Sequence, residues 1–262
     1  VRTILLAIVN EIYKRFLILW DYKFNLLMQL VMVGFIFIGA SFFIQGGQLD
    51  PRQLAPLFIG YIVWFYARII IMTTGADLVG EAQAGTLEQM YMSPVSAELL
   101  LIGRMCATLI TTTIMVIVTG VVLLLLLHIQ LPFHWEVIPV LLLTLFGLFG
   151  FTLILSGAAL VFKQVDGLAD LVQNALLFLT GSLLPISRFP AWLGEVAKTL
   201  PITQGIVVLR QVDLEGQSLA ATWASGSLSW LIIHSAIYMC AGWIIFKWCE
   251  RIAKQKGSLS QY

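Results

Sequence analysis

Long apolar runs alternate with short polar interruptions along this chain. Six apolar blocks, roughly 24–44, 55–76, 99–127, 137–161, 168–184 and 228–247, are separated by segments 45–54, 77–98, 128–136, 162–167 and 185–227. A block of about twenty apolar residues matches one helical crossing of a hydrocarbon layer. The pattern therefore predicts an all-α polytopic membrane protein with six transmembrane helices, a single domain over residues 1–262. Residues 1–22 are apolar but interrupted. On a helical wheel Thr3, Asn10, Glu11, Lys14, Arg15 and Asp21 fall within one arc of about 140°. Such a segment suits a helix lying in the membrane surface, its basic side toward the headgroups. The alternative is a charged start to the first crossing.

Composition supports the membrane reading. Of 262 residues 60% are hydrophobic and 11% charged, against about 25% charged in a soluble domain. The net charge of +1 gives no reason to expect nucleic acid as a partner. Cys106, Cys240 and Cys249 lie in or beside apolar blocks and read as packing residues. Asn10, Glu11, Lys14 and Arg15 interrupt the first block where a cleavable signal needs an apolar run, so no such signal is expected there. The histidines His128, His134 and His234 are scattered, and no metal site is expected. No G-x-x-x-x-G-K-[ST] motif occurs, and no catalytic cluster is found. The chain is expected to hold no cofactor and perform no chemistry of its own.

Basic residues orient the crossings. With the N-terminus inside, the cytoplasmic segments carry nine: Arg2, Lys14, Arg15, Lys23, Lys163, Lys247, Arg251, Lys254 and Lys256. The outer segments carry four: Arg52, Arg188, Lys198 and Arg210. Both termini are then cytoplasmic, and so is the segment 77–98.

That segment, between the second and third crossings, carries the most specific signal. Asp77 and Glu81 suit the start of a helix, and Ser93-Pro94 suits the cap and first position of the next. Glu81, Gly85 and Glu88 share one face, Leu87, Met90 and Tyr91 another. The reading is a short surface helix over 77–94 that docks into a groove; the plainer alternative is an ordinary loop helix. "EAQAGTLEQMYMSPVS" resembles the coupling segment of the ABC-2 type permeases, the membrane subunits of ATP-driven exporters. The family pattern is an acid, Gly-Thr, Glu, a hydrophobic pair and Ser-Pro. Glu81, Gly85, Thr86, Glu88, Ser93 and Pro94 match it, with Ala82 where a basic residue is common. The likeness extends to the interfacial helix, the six crossings and the long outer segment before the sixth.

The resemblance implies a permease subunit that forms a dimer, most simply with itself, in the cell membrane. It implies two separate ATPase subunits, which bind ATP and Mg and dock through Glu81, Gly85, Thr86, Glu88, Met90, Ser93 and Pro94. It also implies a re-entrant helical pair within 185–227, whose apolar stretches, about 190–200 and 202–212, are too short to cross; a surface lid is the alternative. The family makes crossings two and five the walls of the substrate pathway. Both carry polar stripes: Tyr61, Trp64 and Arg68 on one, Asp170, Gln173 and Asn174 on the other. Intramembrane polar groups are functional candidates by default; the alternatives are that Arg68 extends to the cytoplasmic headgroups and that Asp170, Gln173 and Asn174 mark a helix start near water. Thr108, Thr111, Thr112, Thr113 and Thr119 suggest interhelical hydrogen bonds, and Gly147, Gly150 and Gly157 close helix contacts. Mostly aromatic and aliphatic walls suit a drug, a lipid or a lipid-linked glycan. An ion-driven carrier, a membrane-embedded enzyme and a membrane scaffold are the competing classes.

Overall fold

A computed structural model describes residues 2–83, 85, 97–162 and 166–255. The helices in chain order are α1 (Arg2–Asp21), α2 (Lys23–Ile44), α3 (Pro51–Gln83), α4 (Ala97–Leu127), α5 (Val137–Phe162) and α6 (Asp166–Leu179). A 3-10 turn (Ile186–Arg188) follows, then α7 (Ala191–Lys198), α8 (Thr203–Asp213), α9 (Leu219–Ala224) and α10 (Ser227–Gln255). No strand occurs among the described residues. The protein is an all-α, multi-pass membrane protein.

Among the described residues, five helices are long and apolar enough to cross a membrane, with spans Lys23–Ile44, Gln53–Asp77, Leu99–Leu127, Val137–Phe162 and Ser227–Gln255. The fifth expected crossing, 168–184, needs correction. Its helix, α6, has 14 residues, about 21 Å at 1.5 Å per residue, short of a hydrocarbon core of about 30 Å. The apolar run continues past it, but the helix does not. The Thr180 hydroxyl donates back to the Leu176 carbonyl at 2.6 Å, and Gly181 takes φ 81, in the left-handed region. Pro185 then supplies no amide hydrogen to resume a ladder.

The second correction concerns 77–83. Asp77 and Glu81 do not start a helix; they lie in the last turns of α3, which runs unbroken for 33 residues. The apolar block ends where the hydrocarbon should, but the helix-forming residues beyond it keep the helix going. Gly85 takes φ 68 just past its end, the conformation glycine commonly supplies beyond a helix C-terminus.

α3 is the axis of the bundle. Its span is 83% buried and that of α2 17%, so α3 sits among α2, α4, α5, α6 and α8 while α2 faces outward. Tyr61, Trp64, Phe65, Ile70 and Ile71 fill the centre. Against lipid, burying apolar surface gives little drive, and helices associate through close packing. The α5–α10 contact does this with glycine. Added Cβ atoms on Gly150 and Gly242 would run into the facing backbone of Tyr238–Met239 and of Gly150, and one on Gly147 would lie 2.9 Å from the Ser235 hydroxyl. The expected role of Gly147, Gly150 and Gly157 thus acquires a partner, α10.

The threonines of α4 meet the expectation in part. Thr111, Thr113 and Thr119 donate to Ala107, Leu109 and Met115 carbonyls of their own helix, at 2.9, 2.7 and 2.8 Å, because the carbonyl one turn back is always within reach. Thr113 also meets the Tyr66 side chain of α3. The three cysteines are free thiols.

Candidate functional site

At the C-terminal end of α3, acids face a carbonyl-rich helix end, an unfavourable pairing with the dipole. Two neighbouring helices supply cations. Arg15 of α1 pairs with Asp77, and Arg104 of α4 pairs with Glu81. These side chains are mostly covered, with Arg104 13% and Glu81 19% exposed. They line a recess of about 230 Å³ that also takes in Glu11, Lys14 and Gly80. Burial lowers the Arg15 pKa from its ordinary value, partly opposed by Glu11. Arg15 of the amphipathic first helix therefore turns inward to the protein, where the sequence pattern pointed the basic side at lipid headgroups. Its opposite face leaves Tyr13, Phe16, Leu17 and Trp20 exposed.

Of the expected docking residues, the structure describes Glu81 and Gly85. Glu81 is engaged by Arg104 within the chain. Gly85 is exposed, with open space where a Cβ would stand. Thr86, Glu88, Met90, Ser93 and Pro94, with Leu87 and Tyr91, lie outside the described residues.

The pathway candidates divide into two sets. Tyr61 and Trp64 are fully buried and Gln173 nearly so. The Tyr61 hydroxyl donates to the Val33 carbonyl at 2.6 Å, tying α3 to α2. The Trp64 indole donates to the Gln173 carbonyl at 2.7 Å, tying α3 to α6. These three are buried within the chain, where the ring edges of the α3 stripe find partners on both neighbouring helices. Arg68 stacks back on the Trp64 ring at 5.7 Å. Asp170 and Asn174 are exposed instead, on the outer side of α6 with Leu171 and Phe178. Asp170 accepts from the Gln173 amide at 2.6 Å.

Residues 185–227 contain the two expected short helices, α7 and α8, with α9 as an addition. α8 is buried along most of its length. Added carbon at Gly205 would collide with Thr144 of α5. The carbonyl of Thr199, capping α7, accepts from Tyr238 at 2.6 Å and from His234 Nε2 at 3.0 Å. His234 is thus a tether. Asp213 at the end of α8 accepts from the His134 backbone amide at 3.3 Å.

Sequence reasoning missed Arg210, counting it only as an outer charge. Its Nε donates to the Pro56 carbonyl at 2.9 Å and an Nη to the Gly181 carbonyl at 2.8 Å. It fastens α8 to the start of α3 and to the break after α6. Gly60 permits this approach, since a Cβ there would lie 2.7 Å from the guanidinium. The available signal was one cation inside the otherwise uncharged stretch 202–212.

A carbon-lined recess of about 440 Å³ opens between α4, α5 and α10, walled by Met105, Leu109, Phe146, Phe149, Met239 and Trp243 among others.

Comparison with known proteins places these features in a family. A family model described as "ABC-2 type transporter" matches residues 5–214. The "Probable multidrug ABC transporter permease YbhR" of Escherichia coli K12 is 25% identical over 190 residues, 68% of this chain and 48% of that protein. The "Probable doxorubicin resistance ABC transporter permease protein DrrC" of Mycobacterium tuberculosis H37Rv is 29% identical over 161 residues, 57% of each. The chain therefore spans about half the length of the curated relatives it matches.

Proposed function

Because the chain belongs to the ABC-2 type transporter family, we propose that it is the membrane subunit of an ATP-driven exporter. In this reading it works as a homodimer with two separate ATPase subunits, which bind ATP and Mg and carry out hydrolysis. It sits in the cell membrane with cytoplasmic termini. The relatives' names, together with walls that are mostly hydrocarbon, favour a hydrophobic or amphipathic cargo: a drug, a lipid or a lipid-linked glycan.

The observation that carries this reading is the continuity of α3. One rigid helix runs from the outer segment, where Arg210 holds its start, to the charged recess, where Arg15 and Arg104 hold its end. A push on 77–94 by an ATPase would move the helix on which the rest of the bundle packs. The exposed face of α6 supports the dimer. Asp170 and Asn174 there would be costly against lipid tails, and a second copy of the chain would cover them and form the pathway between the two.

The test is copurification of the ATPase, followed by ATP hydrolysis with amphipathic compounds added. Substitutions at Gly85 separate conformation from bulk. Asparagine tolerates φ 68 and alanine does not, at a cost of about 1–3 kcal/mol. Gly85→Asn should retain the ATPase and its stimulation, Gly85→Ala should weaken both, and Gly85→Trp should abolish them. Full coupling in Gly85→Trp would remove this segment from the docking role.

A further inference from the structure

A second polar recess, of about 270 Å³, lies at the opposite end of α3 from Asp77 and Glu81. Its polar lining comes from Gln45 after α2, Gln53 of α3, Arg188 of the 3-10 turn and Arg210 of α8. Ile44, Leu57, Leu183 and Leu184 form its apolar wall.

Its charge is unbalanced. Among the described residues Arg210 donates to neutral carbonyls, those of Pro56, Gly181 and Ser182. These engage its Nε and one Nη without neutralising its charge. Burial lowers its pKa to about 10, which leaves it cationic at neutral pH. Arg188 has no acidic partner among the described residues, and none of the lining residues is a carboxylate. Asp50, three positions before Gln53, accepts from its amide at 3.3 Å, and Asp213, three positions after Arg210, accepts from the His134 backbone amide. The Asp50 backbone amide donates to Gln45 Oε1 at 2.7 Å. That bond orients the Gln45 side chain and leaves its Nε2 buried with no acceptor among the described residues. Two cations and an idle buried donor thus meet in one recess. A buried charge without a counter-ion is expensive, and an anion would relieve it.

The recess also sits at a defined depth. The α2 span ends at Ile44 and the α3 span begins at Gln53, so its lining stands where hydrocarbon gives way to headgroups. We propose that this recess binds a phosphate anion at that level, carried by a membrane lipid whose chains lie along Ile44, Leu57, Leu183 and Leu184. Guanidinium groups suit phosphate because their paired N–H donors match its oxygens. The bound headgroup bridges α2, α3, the 3-10 turn and α8, and so makes the fastening of the outer pair depend on lipid.

Native mass spectrometry of the detergent-purified full chain provides the test. The probes are dioctanoyl phosphatidylglycerol, dioctanoyl glycerol and inorganic phosphate. Phosphatidylglycerol should bind at least about tenfold more tightly than dioctanoyl glycerol, the loss expected when charge-assisted bonds are removed. Arg188→Gln removes an exposed cation, and Gln45→Glu keeps the acceptor for the Asp50 amide while reversing the idle donor. Each should cost about tenfold in phosphatidylglycerol affinity on the same grounds, with unchanged melting in the absence of lipid. Retention of phosphatidylglycerol against millimolar phosphate supports the lipid source; displacement by phosphate supports the anion site with a soluble source. Equal binding of phosphatidylglycerol and dioctanoyl glycerol, or wild-type binding by both variants, would overturn the proposal.

Discussion

At Gly242 a single methyl group decides whether two helices fit. The α5 and α10 backbones touch there, and the atom in the way is the Gly150 carbonyl oxygen. A flexible side chain could yield; a helix carbonyl cannot move without its helix. Gly242→Ala is therefore expected to destabilise the folded chain by about 1–3 kcal/mol or more, as overpacking does. Gly75→Ala, where nothing stands within 4 Å, should leave stability unchanged or slightly raised, since alanine favours a helix. Thermal unfolding in detergent, followed by size-exclusion chromatography, compares the two. Equal melting would mean that α5 and α10 are not in backbone contact. The sequence pointed to glycine on α5 but left its partner open, because 3.6-residue spacing marks a face without saying what meets it.

Between elements, charge pairs do what spacing does at single positions. Arg104 and Glu81 join α4 to α3, and Arg15 and Asp77 join α1 to α3. The latter pair is 62 positions apart in the chain. No local pattern encodes such a partner, which is why the acids of α3 read as a helix start and Arg15 as a headgroup contact. The short helices of 185–227 were more legible: the stretches 190–200 and 202–212 fall on α7 and α8, because proline and short apolar runs mark local boundaries. Their fastening by Arg210 was not legible, since it depends on carbonyls 154 and 29 positions away. An exposed pair contributes only about 0–1 kcal/mol, but breaking a covered one costs about 3–5 kcal/mol. The Arg104–Glu81 pair is largely covered. Arg104→Ala and Glu81→Ala should therefore each destabilise the chain, and the double variant should lose less than the sum. A double-mutant cycle measured by unfolding in detergent should give a coupling above about 1 kcal/mol. Strict additivity would show that the two side chains act independently.

On the scale of the molecule, the crossings were readable because each apolar block has the length of a bilayer core and one helix fills it. The exception, α6, shows the limit of that reasoning. Leu183 and Leu184 extend the apolar run, yet Gly181 and Pro185 end the helix, so hydropathy overstates the span. If α6 and residues 180–184 together carry the chain across, the segment holding α7, α8 and α9 faces the side opposite the N-terminus, and α10 returns the chain. The distribution of Lys and Arg then places that segment outside. This orientation is checked by single cysteines in a chain cleared of its three native ones. Glu215→Cys follows α8 and Gln255→Cys ends α10, both at exposed positions. A membrane-impermeant maleimide applied to intact cells should label Glu215→Cys alone, and Gln255→Cys should react only after the cells are opened. If instead Gln255→Cys reacts in intact cells and Glu215→Cys is protected, α6 does not cross. The segment holding α7, α8 and α9 would then share a side with the N-terminus, and five helices would span the membrane.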